Sequence, residues 1–390
     1  MRITIVLGPF KPPPPAPSGA VEKAWWSLAQ AFAAAGHAVT VVGPDHVDLP
    51  RGEGWDGIAY RRLPLIDRSG RTWIDVLRDF GWSRRAKSLL PPADVTVTNT
   101  FWLPRLLGGP GSRTRRELGR LEVHVQRFPK GQMFLHSGAD SISTVSAAIA
   151  EAIASERPRL ADRIRVVPNP VDLEVFRADE TCLRRRESSP PALLTYTGRV
   201  HPEKRLDLLV SAWRRVVESG TPLRLRIVGP WETAAGGGGR RHVEVLRRLA
   251  GEHAFELPGP VADPARLAAE LRDADLYCYP STAAKGEALP IAPLEAMACG
   301  LAPIVADLPQ YRGVLEHGRN ASVFDGELEG LTSTLRGLLE DRERRIDLDR
   351  GAAADADRLG VASIAAQHLA AWSGSSSDRG VASHRLEPVP

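Results

Sequence analysis

The chain has few cysteines and no long apolar run, and each absence excludes a class of protein. Its 390 residues include three cysteines, Cys182, Cys278 and Cys299, which lie far apart and without CxxC spacing. That spacing argues against a disulfide framework and against a zinc cluster. No apolar stretch approaches the roughly 18 residues that a membrane span needs. Proline-rich sequence follows the short apolar start MRITIVLGPF, so we expect a first strand there and not a signal peptide.

The chain also lacks a strong charge of either sign. Its formal net charge is +4, its hydrophobic content 43% and its charged content 25%, values typical of a globular, cytoplasmic protein. A chain of this length is expected to form two domains. The small basic excess falls short of a nucleic-acid-binding protein, but it suits phosphate-bearing ligands and leaves peripheral contact with an acidic membrane open. The oligomeric state is not predicted.

Short apolar runs alternate with helical patterns along the whole chain. The runs are Ile3–Leu7, Ala38–Val42, Asp94–Thr98, Ser141–Ser146, Ile164–Val167, Leu193–Thr197, Leu223–Val228, Leu276–Tyr279 and Ala302–Val305. Strands that alternate with helices predict parallel sheets covered on both faces. We therefore predict an α/β fold of two doubly wound domains, with ligands bound beyond the carboxyl ends of the strands, in a cleft between the domains.

Changes in composition suggest the domain boundaries. We predict an N-terminal domain over residues 1–174, a linker over 175–191, where RRRESSPP is rich in charge and proline, and a C-terminal domain over 192–352. A final helix is predicted over 353–373. Residues 374–390 have too little apolar content to pack and are predicted to be a disordered tail.

Two cations follow the predicted strand Leu193–Thr197. In the segment GRVHPEKRLDLLVSAW, Pro202 and Glu203 suit a first helical turn, which places Arg199 and Lys204 at a helix N-terminus. The helix dipole disfavours cations there unless an anion binds between them. We predict an anion site; the alternative is a pair of solvated surface cations.

Two carboxylates lie eight positions apart in the apolar segment KGEALPIAPLEAMACG. Pro290 and Pro293 predict the start of a helix, with Glu295 in its first turn and Glu287 in the loop before it. A buried carboxylate needs donors, and ligand hydroxyls are suitable ones because an ionised carboxylate only accepts. Compensation of the helix dipole is the alternative role for Glu295.

Taken together, these motifs resemble a known family. The chain is similar to the retaining glycosyltransferases of the GT-B fold, in the family usually called GT4. The matching pieces run in family order from near residue 1 to about residue 325: PSGAVEKAWWSLAQAFAAAGHAVTVV, STVSAAIAEAI, VVPNPVD, YTGRVHPEKRLDLLVSAW, LRIVG, LPGPV, DADLYCYPS and EALPIAPLEAMACGLAPIVA. An E-x7-E pair alone is weak, but preceded by GR-x3-EK and by a PNxVD segment it is specific.

The resemblance implies two Rossmann-like domains that face each other across a cleft. Domain 1–174 would bind the acceptor, domain 192–352 the nucleotide-diphosphate sugar, and the helix over 353–373 would return to the N-terminal domain. The implied reaction is a metal-independent, retaining hexosyl transfer from a co-substrate, a UDP-sugar in preference to a GDP-sugar, and no cofactor is implied. The acceptor would be a small molecule or a glycan, with secondary-metabolite or glycoconjugate biosynthesis as the setting.

The resemblance also assigns the donor-binding residues. Arg199 and Lys204 would contact the diphosphate, Glu287 the hydroxyls of the sugar and Glu295 those of the ribose. Gly19 matches a first-loop glycine whose backbone approaches the phosphates, and Val261 and Leu289 complete the set. The chain departs from the commoner pattern by having one glycine in that first loop and Pro290, which has no N–H, where many members have glycine.

The acceptor side is assigned from the segment LEVHVQRFPKGQM. His124 is the candidate near the donor sugar, so the predicted catalytic residues are His124, Arg199, Lys204 and Glu287. Arg127 and Lys130 are candidate acceptor or phosphate contacts. No Asp-x-Asp stands at the carboxyl end of a predicted strand, so no metal ligand is predicted. The glycine-rich segment Trp231–Arg241 is predicted to be a mobile loop that could fold over a ligand.

Two alternatives stay open. The same fold serves nucleotide-sugar 2-epimerases, and a non-catalytic protein that binds sugar nucleotides could keep it as well. Release of the nucleoside diphosphate only when an acceptor is present would distinguish transfer from both.

Overall fold

The computed structural model describes residues 1–109, 111–188 and 193–374, and its internal contacts divide the chain into two compact units. The first unit comprises Met1–His124, Phe134–Ser143 and the described residues from Ala362 onward, and the second comprises Val125–Met133 and Thr144–Val361. Residues 189–191 of the predicted linker and residues 375–390 of the predicted tail lie outside the described residues.

The first sheet has eight strands. They are β1 (Arg2–Val6), β2 (Ala38–Pro44), β3 (Gly54–Trp55), β4 (Ile58–Leu63), β5 (Val95–Thr98), β6 (Arg120–Val125), β7 (Ser141–Thr144) and β8 (Ile164–Val166), in the order β3-β4-β2-β1-β5-β6-β7-β8. β1 pairs in parallel with both β2 and β5. β3 and β4 instead form an antiparallel hairpin around Asp56 and Gly57, which both have positive φ. This hairpin is an exception to the predicted parallel arrangement.

Six helices lie in the described part of the first half of the chain. They are α1 (Ala20–Ala34), α2 (Thr72–Ser88), α3 (Leu103–Leu106), α4 (Arg113–Leu118), α5 (Ala147–Glu156) and α6 (Glu180–Ser188). On α1, Trp25, Leu28 and Phe32 are buried at helical spacing. α6 lies within residues 175–191, the range predicted to be a linker, because Cys182 and Arg186 are buried and give this charged segment a packed face.

The second sheet has six strands and is parallel in every pair that is assigned. Its strands are β9 (Leu193–Thr197), β10 (Arg224–Val228), β11 (Glu256–Gly259), β12 (Leu276–Tyr279), β13 (Pro303–Ala306) and β14 (Ser322–Phe324), in the order β11-β10-β9-β12-β13-β14. The chain winds outward from β9 to β11 and then returns to the other side of β9 as β12. In doubly wound sheets, ligands bind at the carboxyl ends of the strands at this switch point.

The remaining helices are α7 (Leu206–Glu218), α8 (Gly239–Ala250), α9 (Pro264–Asp273), α10 (Ile291–Ala298), α11 (Leu328–Glu340), α12 (Arg342–Ala356) and α13 (Val361–Trp372). The final helix predicted over 353–373 begins later than expected: α13 starts at Val361, and residues 353–356 belong to α12. Val171 explains the break: its N–H donates to the Leu359 carbonyl (2.8 Å) and its carbonyl accepts from the Val361 N–H (3.1 Å), so backbone groups that a helix would use are paired elsewhere. No helix in the described part of the chain has the length and apolarity to cross a membrane.

Candidate active site

The side chain of Lys204 is fixed by an unusual turn after β9. Pro202, Glu203 and Lys204 form a separate 3-10 turn in place of the predicted first turn of α7. Arg205 follows with φ 52°, a left-handed conformation that non-glycine residues rarely adopt. It separates the turn from α7, and Lys204 is buried with a relative exposure of 7%.

Lys204 and Glu287 form a buried ion pair at the switch point of the second sheet. The Lys204 ammonium donates to Glu287 Oε1, and the Tyr279 hydroxyl donates to the same oxygen at 2.9 Å. Burial raises the pKa of Tyr279 well above its usual value, so its hydroxyl keeps the proton that it donates. Tyr279 ends β12 and Lys204 follows β9, so the two central strands jointly supply the donors that hold Glu287.

One oxygen of Glu287 takes both bonds. Among the described residues, no partner is found for its other oxygen, Oε2, and that atom is not among the fully buried polar atoms. The loop that carries Glu287 is held at Leu289, a buried residue whose carbonyl accepts from the Asn169 side-chain amide at 2.8 Å. Gln126 donates in turn to Asn169 at 2.9 Å. The loop is therefore held at Glu287 and at Leu289, and Glu287 Oε2 can accept a further hydrogen bond.

Arg199 lies beside this pair and is exposed. Its guanidinium pairs with the Glu203 carboxylate and donates to the Gly236 carbonyl at 3.0 Å. Glu203 is also 3.4 Å from the Lys204 ammonium, so one carboxylate faces both cations. Partial burial disfavours the charged form of Glu203, but Lys204 and Arg199 lower its pKa below the usual value. Both predicted diphosphate-binding cations thus share a protein carboxylate.

Two glycines bring the loops after β9 and β10 into contact. Gly198 and Gly229 have φ of +141° and +150°, and a Cβ on Gly229 would lie 1.8 Å from the Gly198 carbonyl oxygen. Close approach of this kind requires glycine. The contact continues into the predicted mobile loop Trp231–Arg241, where the Gly238 N–H donates to the Val200 carbonyl at 2.8 Å. The glycine-rich segment is therefore tied to the loop that carries Arg199.

Glu295 and Val261 lie on other elements of the second unit, Glu295 on α10 and Val261 after β11. Glu295 is half-buried in the middle of α10, one turn further along than predicted, since α10 begins at Ile291. This position weakens dipole compensation as an account of Glu295, because the effect falls off after the first turn. Val261 is half-buried in the segment after β11. The roles predicted for both residues in binding the donor stay predictions.

Gly19 lies in the first unit, at the N-terminus of α1. Its φ of −92° and ψ of 174° are open to any residue. A Cβ there would lie 2.4 Å from Glu22 Oε2, the end of a flexible side chain. The backbone of this loop therefore does not itself require glycine, and the predicted approach of a phosphate stays a prediction.

His124 is a core residue of the first unit. It is 6% exposed on β6, its Nδ1 lies 2.9 Å from Ser143 Oγ, and its ring packs edge-on against Trp25 at 5.0 Å. Burial lowers its pKa to about 3, so the ring is neutral. Its catalytic role stays a prediction, one that this burial does not favour. Arg127 and Lys130 are exposed in the segment after β6.

A buried carboxylate next to His124 joins β6 to the last helix. Glu122 has no exposed surface, and it accepts from Trp372 Nε1 at 2.9 Å and from Ser141 Oγ at 3.0 Å. His368 Nδ1 lies 3.4 Å from Glu122 Oε1. All of these residues belong to the first unit, so α13 completes its core.

Sequence reasoning missed three residues that shape the candidate site. Tyr279 could have been found from its place at the carboxyl end of β12. Glu203 stands between the two predicted cations, and Asn169 occupies the VVPNPVD piece, which was used only as part of the resemblance to the family. Among the described residues, no group of three or more His, Cys, Asp or Glu side chains is arranged to hold a metal ion.

Two family profiles match the chain and together cover most of it. Residues 183–355 match "Glycosyl transferases group 1" and residues 21–175 match "Glycosyltransferase Family 4". A D-inositol 3-phosphate glycosyltransferase from Thermobispora bispora is 29% identical over 214 residues, which cover 53% of this chain and 49% of that protein. The chain thus spans about half the length of the curated relatives that it matches.

Solved structures match over nearly the whole chain. Sucrose-phosphate synthase from Thermosynechococcus elongatus has a TM-score of 0.75 at 18% identity and covers 96% of this chain and 99% of that one. HepE from Anabaena, solved in complex with UDP and glucose, has a TM-score of 0.68 at 18% identity and covers 96% and 99%. At such identities the likeness is one of fold, and it confirms the predicted pair of doubly wound α/β domains.

Proposed function

The chain belongs to the glycosyltransferases of the GT-B fold and the GT4 type, and on this premise we propose that it transfers a sugar from a nucleotide-diphosphate sugar to an acceptor hydroxyl. The observation that carries the proposal is the buried pair of Lys204 and Glu287 at the switch point of the second sheet. Such a pair is costly to keep for stability alone, because desolvation offsets most of its attraction.

The charges of this site suit a nucleoside diphosphate. Lys204 has three N–H donors and gives one to Glu287, so a diphosphate can take another without breaking the pair. The planar guanidinium of Arg199 can donate two parallel hydrogen bonds to phosphate oxygens. Cations placed where the leaving group gains charge stabilise the transition state.

The two glutamates are proposed to position the donor. Glu287 has one oxygen held by Lys204 and Tyr279, which leaves Oε2 to accept from a sugar hydroxyl. Glu295 is proposed to accept from the ribose. In this assignment neither residue acts as a glycosidase acid or base, and no side chain attacks the sugar.

The proposed reaction retains the anomeric configuration. The bond between the anomeric carbon and the diphosphate oxygen breaks, and the acceptor oxygen bonds to the same carbon from the face that the diphosphate leaves. The acceptor proton passes to a phosphate oxygen of the leaving group. Arg199 and Lys204 stabilise the negative charge that develops on the leaving diphosphate. In this proposal they therefore make a divalent metal unnecessary.

UDP-sugars are the first donors to test, since a protein of the same fold was solved with UDP and glucose. Inositol phosphates are the first acceptors, since a relative with 29% identity is a D-inositol 3-phosphate glycosyltransferase. Broader polyol and glycan panels follow from the proposed chemistry.

The experiment measures release of UDP from a panel of UDP-hexoses, with and without acceptors and with excess EDTA. We expect release that depends on an acceptor and survives EDTA, and NMR of the product should show the donor's anomeric configuration. Lys204→Ala should lower the rate by about 100-fold, on the scale of losing one oxyanion donor. The matched control is Lys285→Ala, because Lys285 is exposed in the loop that carries Glu287. Equal rates in both variants, or an inverted product, would contradict the proposal. Release of UDP with a 2-epimeric sugar and no acceptor would favour the epimerase.

A further inference from the structure

Helix α2 exposes a stripe of large apolar side chains. Trp73 is 62% exposed, Leu77 60% and Phe80 36%. Their spacing of four and three residues places them on one side of the helix. The other side is also apolar and packs Trp82 and Ala86 into the core of the first unit. Apolar groups therefore cover two sides of α2, and within the described part of the chain only the inner side is buried.

One residue of the stripe, Phe80, packs against a fixed aromatic ring. The ring of Phe80 packs edge-on against Trp102 with the centroids 5.2 Å apart. Trp102 donates its indole N–H to the Val76 carbonyl at 2.9 Å, which fixes the ring against α2. Leu65, 37% exposed, adds a further apolar side chain in the segment before the helix.

The segment that carries the stripe is rich in exposed basic side chains. Residues 65–88 contain six basic residues, all exposed, and three acidic ones, an excess of three in 24 residues where the whole chain has only +4. The basic residues are Arg68, Arg71, Arg78, Arg84, Arg85 and Lys87. Two of the acids are already engaged: Asp79 is buried and accepts from the Phe101 and Trp102 N–H groups, and Asp75 accepts from Ser69. Arg84 continues the line of Trp73, Leu77 and Phe80 by one further turn.

We propose that α2 docks this chain on the surface of an anionic lipid bilayer. Tryptophan, leucine and phenylalanine beside arginine and lysine are the combination found in helices that lie in the membrane interface. The aromatic rings would enter the boundary between headgroups and acyl chains, and the arginines would meet the lipid phosphates. A second copy of the chain fits less well, since a two-fold contact through α2 would oppose two surfaces of the same positive charge.

The experiment is co-sedimentation of the full chain with vesicles of pure phosphatidylcholine and with vesicles that contain about one-third phosphatidylglycerol. We expect binding to the anionic vesicles alone, and weaker binding at high salt because the headgroup attraction is screened. Arg84→Glu/Arg85→Glu should weaken binding by at least about tenfold, since each basic residue near such a surface contributes about fivefold. Trp73→Ser/Leu77→Ser should also weaken it, through the loss of apolar contact.

Two control variants make the result specific to α2. Arg247→Glu/Arg248→Glu reverses an adjacent exposed pair on α8, and Val47→Ser removes an apolar side chain that is 76% exposed elsewhere in the first unit. Both should bind like the parent chain. Equal losses in the α2 and α8 variants, or no binding to anionic vesicles, would overturn the proposal. It would also be overturned by sedimentation that shows a dimer abolished by Trp73→Ser/Leu77→Ser, since the stripe would then be an interface between copies. These outcomes do not depend on sugar transfer, so this inference and the proposed reaction can fail separately.

Discussion

Lys204 and Glu287 lie 83 residues apart in the sequence, yet the ammonium of one donates to the carboxylate of the other in a site that is nearly closed to water. Each follows a different central strand of the second sheet. Neither side chain could stay charged there alone, because an isolated buried ion is too costly to desolvate. Each charge therefore allows the other to be buried.

Removing either partner should destabilise the second unit. Lys204→Met leaves the buried Glu287 carboxylate without its cation, and Glu287→Gln leaves the buried Lys204 ammonium without its anion. Because an unpaired buried charge is costly, each variant alone should lower the free energy of unfolding by about 3 kcal/mol. The double variant Lys204→Met/Glu287→Gln should lose less free energy of unfolding than the two single losses added together. The difference should be at least about 1 kcal/mol. Urea denaturation of the four proteins gives this coupling energy. Additive losses would mean that the pair is not coupled.

Glu203 should compete with a bound diphosphate, because its carboxylate faces both Arg199 and Lys204. Glu203→Gln removes that charge, so Kd for UDP should fall by about fivefold to tenfold, a gain of 1–1.4 kcal/mol. Calorimetric titration measures the change. Glu218→Gln is the matched control, because Glu218 pairs with Arg214 at the same spacing on the exposed side of α7. Weaker binding of UDP to Glu203→Gln would show instead that Glu203 positions Arg199.

Glu295 and Glu287 should differ in which ligand they affect. If Glu295 accepts from the ribose, Glu295→Gln should raise Kd for UDP and for the UDP-sugar alike. If Glu287 accepts from the sugar, Glu287→Gln should raise Kd for the UDP-sugar only. Each lost bond to a charged group corresponds to a rise of about tenfold to a hundredfold. Titration of both variants with both ligands tests the assignment, and equal losses in all four titrations would contradict it.

Buried histidines should make stability depend on pH. Burial lowers the pKa of His124 to about 3 and that of His136 to about 4, while an unfolded histidine titrates near 6.5. Below that pH the unfolded chain takes up protons that the folded chain does not. Each histidine should therefore lower the free energy of unfolding by about 1.4 kcal/mol per pH unit between pH 6.5 and its folded pKa.

Urea denaturation at pH 7.5 and 5.5 measures this slope. His124→Gln should reduce the slope, because glutamine does not titrate. An unchanged slope in His124→Gln would mean that His124 is protonated in the folded chain.

The elements that position the site could be predicted from the sequence because their strands are short, apolar and isolated by polar segments. β9 and β12 lie where their apolar runs placed them. Strands β3, β4, β6, β11 and β14 were not predicted, and three of them have a local reason. β4 interrupts its alternation with Arg61 and Arg62, β11 contains a proline and ends in a glycine, and β14 is three residues long. The β3–β4 hairpin did carry a signal, the Asp56-Gly57 pair that favours a tight two-residue turn.

The partners of the site residues could not be predicted, because they come from distant parts of the chain. That Glu203 faces both cations, and that Tyr279 holds Glu287, depends on how the loops fold after β9 and β12. The same holds for Glu122, an acid in the middle of a strand pattern whose donor, Trp372, comes 250 residues later. Sequence spacing reports local periodicity and carries no information on such pairs.

The bond between Glu122 and Trp372 has a consequence for synthesis on the ribosome. At about 5–20 residues per second, the 250 residues between them take roughly 12–50 s to translate. During that time most of the first unit has been synthesised, but Glu122 in its core cannot yet accept the hydrogen bond from Trp372. The second unit, whose residues all precede Ala362, can finish folding first. The half of the chain that is made first is therefore the half that is completed last.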